Sequence, residues 1–177
     1  MMALADQLRR GDLALCLACN RWGRRERVRR LFVRVSRLGD GAAWYLLMAL
    51  AVLADGFDGL AASAHMAATG GGALLLYRRL KRHTRRPRPF ASDRRIRALV
   101  APLDEFSFPS GHTLHAAAFT GVAGWHYPAL LLVLLPFTAL VAASRVVLGV
   151  HYPSDVLAAL ALGATLAALS RACWPAG

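Results

Sequence analysis

The chain has 177 residues, of which 56% are apolar, a share too high for an ordinary soluble domain. Its net charge of +12 would point to nucleic acid in a soluble protein. Here the basic residues flank long apolar runs, so anionic lipid headgroups are the expected partner and nucleic acid is not. No Asp, Glu, Lys or Arg occurs in 41–54, 59–77, 106–144 or 156–170, which implies one all-α integral membrane protein.

The N-terminal segment, 1–38, is set apart by its arginines, with ten of the 22 Lys/Arg lying in 9–37. Leu15, Leu31, Val35 and Leu38 alternate with them, as in an amphipathic helix lying in the membrane interface. A solvated basic face with no specific partner fits the same pattern. Cys16 and Cys19 form a lone C-x2-C that nothing downstream completes into a zinc site, so they count as small apolar residues. No cleavable leader is expected.

A membrane domain is expected over 39–174. Gly39-Asp40-Gly41 breaks the basic pattern, with Asp40 placed to cap the next helix. Residues 42–54 form a first apolar helix that is short for a full span. A turn at 55–59 leads into a second, 59–77, rich in Gly and Ala, where His65 is expected as a lone core histidine. Residues 78–108 form a polar loop, with ten Lys/Arg in 78–97. Three further spans follow, from Ser110 to Trp125, 128–145 and 154–172. The sum is about five transmembrane helices plus the N-terminal interfacial helix.

Helix ends alternate between membrane faces, so the end of the second span, the start of the third, the end of the fourth and the start of the fifth share one side. Each carries a polar cluster. Ser144-Arg145 closes the fourth span, and His151-Tyr152-Pro153-Ser154-Asp155 opens the fifth, with Pro153 suited to a first helical turn. Phe108-Pro109-Ser110-Gly111-His112 opens the third, where free N–H groups and the helix dipole favour an anion, phosphate above all. Lys81 and Arg88-Pro89 lie in the basic loop. Taken alone, the twelve residues 144–155 would equally suit a capped loop with a satisfied histidine. His115, one turn after His112, has no carboxylate or third ligand nearby, so no metal site is expected. Arg82, His83, Arg85 and Arg86 are expected as flexible solvated charge.

Together these clusters give K-x6-R-P (Lys81, Arg88, Pro89), P-S-G-H (109–112) and S-R-x5-H-x3-D (Ser144, Arg145, His151, Asp155). This resembles the type 2 phosphatidic acid phosphatase (PAP2) superfamily over about residues 40–172. The resemblance implies a metal-independent, cofactor-free lipid phosphate phosphatase acting on a phosphomonoester or pyrophosphate of a membrane lipid. The lipid would be a polyprenyl phosphate derivative, phosphatidic acid or phosphatidylglycerophosphate. It further implies that His151 is the nucleophile forming a phosphohistidine and that Asp155 orients its other ring nitrogen. His112 would be the acid and then the base, while Lys81, Arg88, Ser110, Gly111 and Arg145 hold the phosphoryl oxygens. The alternatives are a phosphotransferase using an alcohol acceptor and a non-catalytic membrane scaffold. Membrane members often have six spans, and here the arginine-rich segment stands where the first is expected. With five spans both basic blocks share a face, and the positive-inside rule then places the protein in the cell (inner) membrane with its site towards the cytoplasm.

Overall fold

The structure, a computed structural model, describes residues 2–174, and every regular element among them is helical. The arginine-rich segment forms two helices, α1 (Met2–Gly23) and α2 (Glu26–Arg37). A wide turn, Leu38–Ala42, leads into α3 (Ala43–Thr84). After the short α4 (Pro89–Ser92) and an irregular stretch come α5 (Gly111–His126), α6 (Leu131–Val147) and α7 (Pro153–Cys173).

The long α3 is in fact a hairpin. Gly56 takes φ 56° and ψ −118°, which a residue with a Cβ adopts only under strain, and there the chain reverses. Ser63 Oγ donates to the Met48 carbonyl at 2.9 Å, and a Cβ on Gly59 would collide with the Ala51 carbonyl oxygen. Neither approach is possible along one straight helix, where eight residues advance about 12 Å. The first limb, 43–55, is about 20 Å long, short of a hydrocarbon core of about 30 Å. The second limb continues to Thr84, two turns past the expected end at 77, because the Arg, Lys and Leu that follow are good helix formers. Lys81 therefore stands on a helix and not in a loop.

Among the described residues, three helical stretches are long and apolar enough to cross a membrane, within Glu26–Ser92, Pro128–Val147 and Pro153–Cys173. Large apolar side chains face outwards, among them Leu53, Phe57 and Leu132, each more than 80% exposed. Inside, small residues let backbones meet, as expected where lipid removes the hydrophobic drive between helices. Gly163 of α7 lies so near α5 that a Cβ would stand 2.5 Å from the Leu114 carbonyl oxygen. A core of Trp44, Met66, Phe119, Val122 and Val141 ties the α3 hairpin to α5 and α6.

The N-terminal helices pack on this bundle. Cys16 is fully buried in a cluster with Ile96, Val146, Tyr152 and Val156. Asn20 of α1 donates to the Arg97 and Val147 carbonyls at 2.8 and 3.3 Å and accepts from the Arg97 N–H at 2.9 Å. Arg24 donates to the Arg95 carbonyl. The two basic blocks thus touch each other at one end of the bundle.

Candidate active site

At that end lies a cavity of about 840 Å³, lined by Lys81, Arg88, Gly111, His112, Arg145 and His151 among others. The end of α3, the start of α5, the end of α6 and the loop before α7 each supply part of the wall. Ser110 and Asp155, also expected there, are fully buried behind it and do not line it. The cavity extends along α3 as far as Ala67, about 21 Å from Lys81 along the helix axis, between Tyr45 and Met48 of the first limb and Gly70, Gly71 and Leu74 of the second. Tyr45, Ala67 and Gly71 are exposed, so this arm opens on the side of the bundle.

His151 is 2% exposed. Its Nδ1 lies 2.6 Å from the Ser107 carbonyl oxygen. A carbonyl only accepts, so Nδ1 carries the proton and the neutral ring keeps its lone pair on Nε2. Nε2 faces Arg88, with Nη1 at 3.4 Å. Burial, then the charges of Arg145, Arg88 and Lys81, hold the ring well below the usual histidine range, so it is neutral at neutral pH. Asp155 Oδ2 stands 3.7 Å from Nδ1, beyond hydrogen-bond reach. The direct partner of the ring is the Ser107 carbonyl, where the family resemblance implied Asp155.

The cations are held differently from one another. Arg88 donates to the Asp104 carbonyl (2.9 Å), the Val150 carbonyl (2.8 Å) and the Asp104 carboxylate (2.8 Å). Lys81 Nζ donates to both Asp104 carboxylate oxygens, at 2.6 and 2.8 Å, and to the Phe106 carbonyl at 2.8 Å. Burial pushes the Asp104 carboxyl up, but Lys81 and Arg88 outweigh it and hold the group below its ordinary range. Arg145 is 3% exposed, bonds Ser36 of α2 through Nη1, and among the described residues has no partner for its buried Nε. An unpaired donor on a buried guanidinium leaves hydrogen-bonding capacity for an anion.

Ser110 is the N-cap residue of α5, yet its hydroxyl pairs with Thr113 Oγ1 at 3.0 Å. The first N–H groups of α5, at Gly111 and His112, begin at the cavity wall. His112 Nε2 lies 3.3 Å from Asp40 Oδ1. Asp40 therefore does not cap α3 and faces the histidine across the cavity mouth. His115, by contrast, contacts the Gly111 carbonyl (2.9 Å) through Nδ1 and the Gly70 carbonyl (3.2 Å) through Nε2, as a structural side chain does.

Arg86 departs most from expectation. It is no solvated charge: Nη1 donates to Asp155 Oδ1 at 2.7 Å and Nη2 to Asp12 Oδ2 at 2.8 Å. Its neighbours Arg85, Arg88, Arg94 and Arg95 hid it, since nothing in a run of arginines singles one out. Asp104 and Ser107 were equally unmarked, being common loop residues whose partners lie far along the chain, and Asp40 was marked only as a helix cap.

No curated protein sequence matches this chain. Among solved structures, a transmembrane PAP2-type phosphatidylglycerolphosphate phosphatase from Bacillus subtilis superposes with a TM-score of 0.76 at 27% identity, over 94% of this chain and 86% of that one. Aquifex aeolicus LpxE gives a TM-score of 0.79 at 23% identity, over 90% and 94%. The family model for the PAP2 superfamily matches residues 44–176, which span all three motifs, and the chain belongs to that family.

Proposed function

We propose that this protein is a membrane lipid phosphate phosphatase working through a phosphohistidine on His151. The observation that carries the proposal is the state of that ring: Nδ1 is tied to a carbonyl, and Nε2 is unprotonated and turned towards buried cations. A nucleophile needs an available lone pair at the reacting position, and phosphoryl transfer needs positive charge around the equatorial oxygens.

Phosphate would sit between Arg88, Lys81, Arg145 and the first N–H groups of α5. His151 Nε2 attacks phosphorus, the bond from phosphorus to the leaving oxygen breaks, and that oxygen takes a proton from His112. A water then gives a proton to His112 and attacks phosphorus, the P–N bond breaks, and inorganic phosphate leaves. Ser110 would act through its backbone carbonyl, which accepts the Leu114 N–H at 3.0 Å in the first turn of α5, and not through its hydroxyl on phosphate. Asp155 would act on His151 through the loop, since it bonds the Tyr152 N–H at 2.8 Å one residue away. The side arm beside Gly70 and Gly71 suits the apolar chain of the lipid. A phosphatidylglycerophosphate, phosphatidic acid or polyprenyl phosphate would each satisfy this arrangement.

The charge supply comes from the protein's own cations, so no metal is required. Turnover on lipid phosphates in detergent should survive EDTA, and vanadate, a mimic of five-coordinate phosphorus, should inhibit. Loss on chelation with recovery on adding Mg²⁺ would overturn the scheme. Contact between the two basic blocks supports a cytoplasm-facing site in the inner membrane, because 20 Lys/Arg then gather at one end against Arg171 near the other. In intact cells an impermeant thiol reagent should then reach a protein whose sole cysteine is Cys173 and spare one whose sole cysteine replaces Ser92. The reverse pattern would place the site outside.

A further inference from the structure

The N-terminal helix reaches the loop that presents His151 through a chain of partly buried polar contacts. Asp12 of α1 accepts from the Ser154 N–H at 2.9 Å and from the Ser154 hydroxyl. The same carboxylate receives Arg86 Nη2 at 2.8 Å. Arg86 Nη1 donates to Ser154 Oγ (2.8 Å) and Asp155 Oδ1 (2.7 Å), and its guanidinium lies 4.1 Å from the centre of the Tyr152 ring. Asp155 closes the chain by taking the Tyr152 N–H on Oδ2. The exposures of the side chains fall inwards: Arg86 27%, Asp12 11%, Asp155 0%. A second thread runs from Cys16, one turn after Asp12, whose thiol lies 3.5 Å from the His151 carbonyl oxygen.

Two carboxylates share one guanidinium, and each bond constrains the others. Asp155 has both oxygens engaged and is wholly buried, so it needs a paired cation to stay ionised. Arg86 is that cation. Arg86 can aim one edge of its planar fork at Asp155 only while the other edge is held, and Asp12 holds it. Asp12 also binds the free N–H and hydroxyl of Ser154 in the first turn of α7. That turn carries Asp155 and follows directly on His151.

We propose that α1 is a positioning part of the active site. Asp12 fixes Arg86 and the start of α7, and through them it sets the register of the loop that presents His151. Asp12 lies outside the matched family region, which begins at residue 44. The arginine-rich segment thus has a role separate from any contact with lipid headgroups. This proposal rests on His151 as nucleophile, and its test separates the two.

Full-length Asp12→Asn, Asp12→Glu, Arg86→Lys and His151→Ala are compared with the natural protein for kcat, KM, vanadate inhibition and thermal unfolding. Lys81, Arg88 and Arg145 do not touch Asp12, so anion affinity should hold within about twofold in Asp12→Asn while kcat falls roughly 10- to 100-fold from misplacement of the nucleophile. Asp12→Glu, which keeps a carboxylate on Arg86, should recover most of that loss. Should Asp12→Asn fail to fold, Arg86→Lys is assessed by the same split, since an ammonium cannot bridge both carboxylates. An unchanged kcat in a folded Asp12→Asn protein overturns the proposal. So does a fall in vanadate affinity and unfolding temperature together with a rise in KM, the mark of general loosening. Retained turnover in His151→Ala would instead overturn the catalytic scheme, whatever Asp12→Asn does.

Discussion

The two ends of the bundle each hold a pair of histidines, and they have opposite characters. At the basic end His112 and His151 line an open cavity with Lys81, Arg88 and Arg145. At the far end His65 Nδ1 meets His126 Nε2 at 3.1 Å, and His65 Nε2 meets Ser170 Oγ at 3.0 Å. There His65 stacks on Trp174 with ring centres 4.4 Å apart and meets Trp125 edge to face at 5.4 Å. His65 has both ring nitrogens used and both sides packed. His151 has one nitrogen used and the other facing cations. A buried histidine is reactive when its surroundings leave a lone pair unspent beside an anion site. Burial alone does not make it so.

The largest expected effect separates the ends outright. His151→Ala should reduce turnover to background while the protein still folds. His65→Ala should keep most of its activity and lose stability, by about 1–3 kcal/mol, because His126 Nε2 loses its partner and the stacking on Trp174 is gone. Comparable losses of activity in the two variants would break the comparison. Next comes Arg145→Lys, which keeps the charge but loses the planar fork. A decline in kcat/KM of roughly 10- to 100-fold is expected, the worth of a hydrogen bond or two to a charged group. A lysine variant that works as well as arginine would mean that charge suffices there and that the unpaired Nε is irrelevant.

A smaller effect concerns acid. The His151 ring is held neutral well below its ordinary value near 6.5, so in the unfolded chain it binds a proton at a pH where the folded protein does not. Its share of stability is therefore present above about pH 6.5 and drains away as the pH falls below that. Asp104, held below its ordinary range, adds a loss in the same direction at still lower pH. Unfolding temperatures measured in detergent from pH 8 down to pH 5 should drop, and His151→Gln should flatten the upper part of that drop. An unchanged slope in His151→Gln would assign the acid sensitivity elsewhere.

Much of the site was legible in the sequence, for definite reasons. Apolar runs end where helices end, so alternation alone put Lys81, His112, Arg145 and His151 at one end, and Pro153 marked the start of α7. The hairpin at Gly56 was visible as a turn between two apolar runs. What escaped were contacts between residues far apart in the chain with no periodic signal. Arg86 and Asp12 are 74 positions apart, and His65 and His126 are 61. The lone core histidine expected at 65 is therefore one of a pair. The Nδ1 partner of His151 escaped for another reason: it is a backbone carbonyl, which every residue has, and only the folded loop shows which one arrives.

The side arm of the cavity has a kinetic consequence. Its mouth at Tyr45, Ala67 and Gly71 lies on the flank of the bundle, about 20 Å along α3 from the basic end. A lipid entering there would move sideways within its own leaflet and never pass through water. Encounter would then be a two-dimensional search, governed by how many substrate molecules share each patch of membrane and not by how many share each millilitre. At a fixed total amount of substrate, adding inert lipid or detergent should slow the reaction by dilution within the surface, although the bulk concentration has not changed.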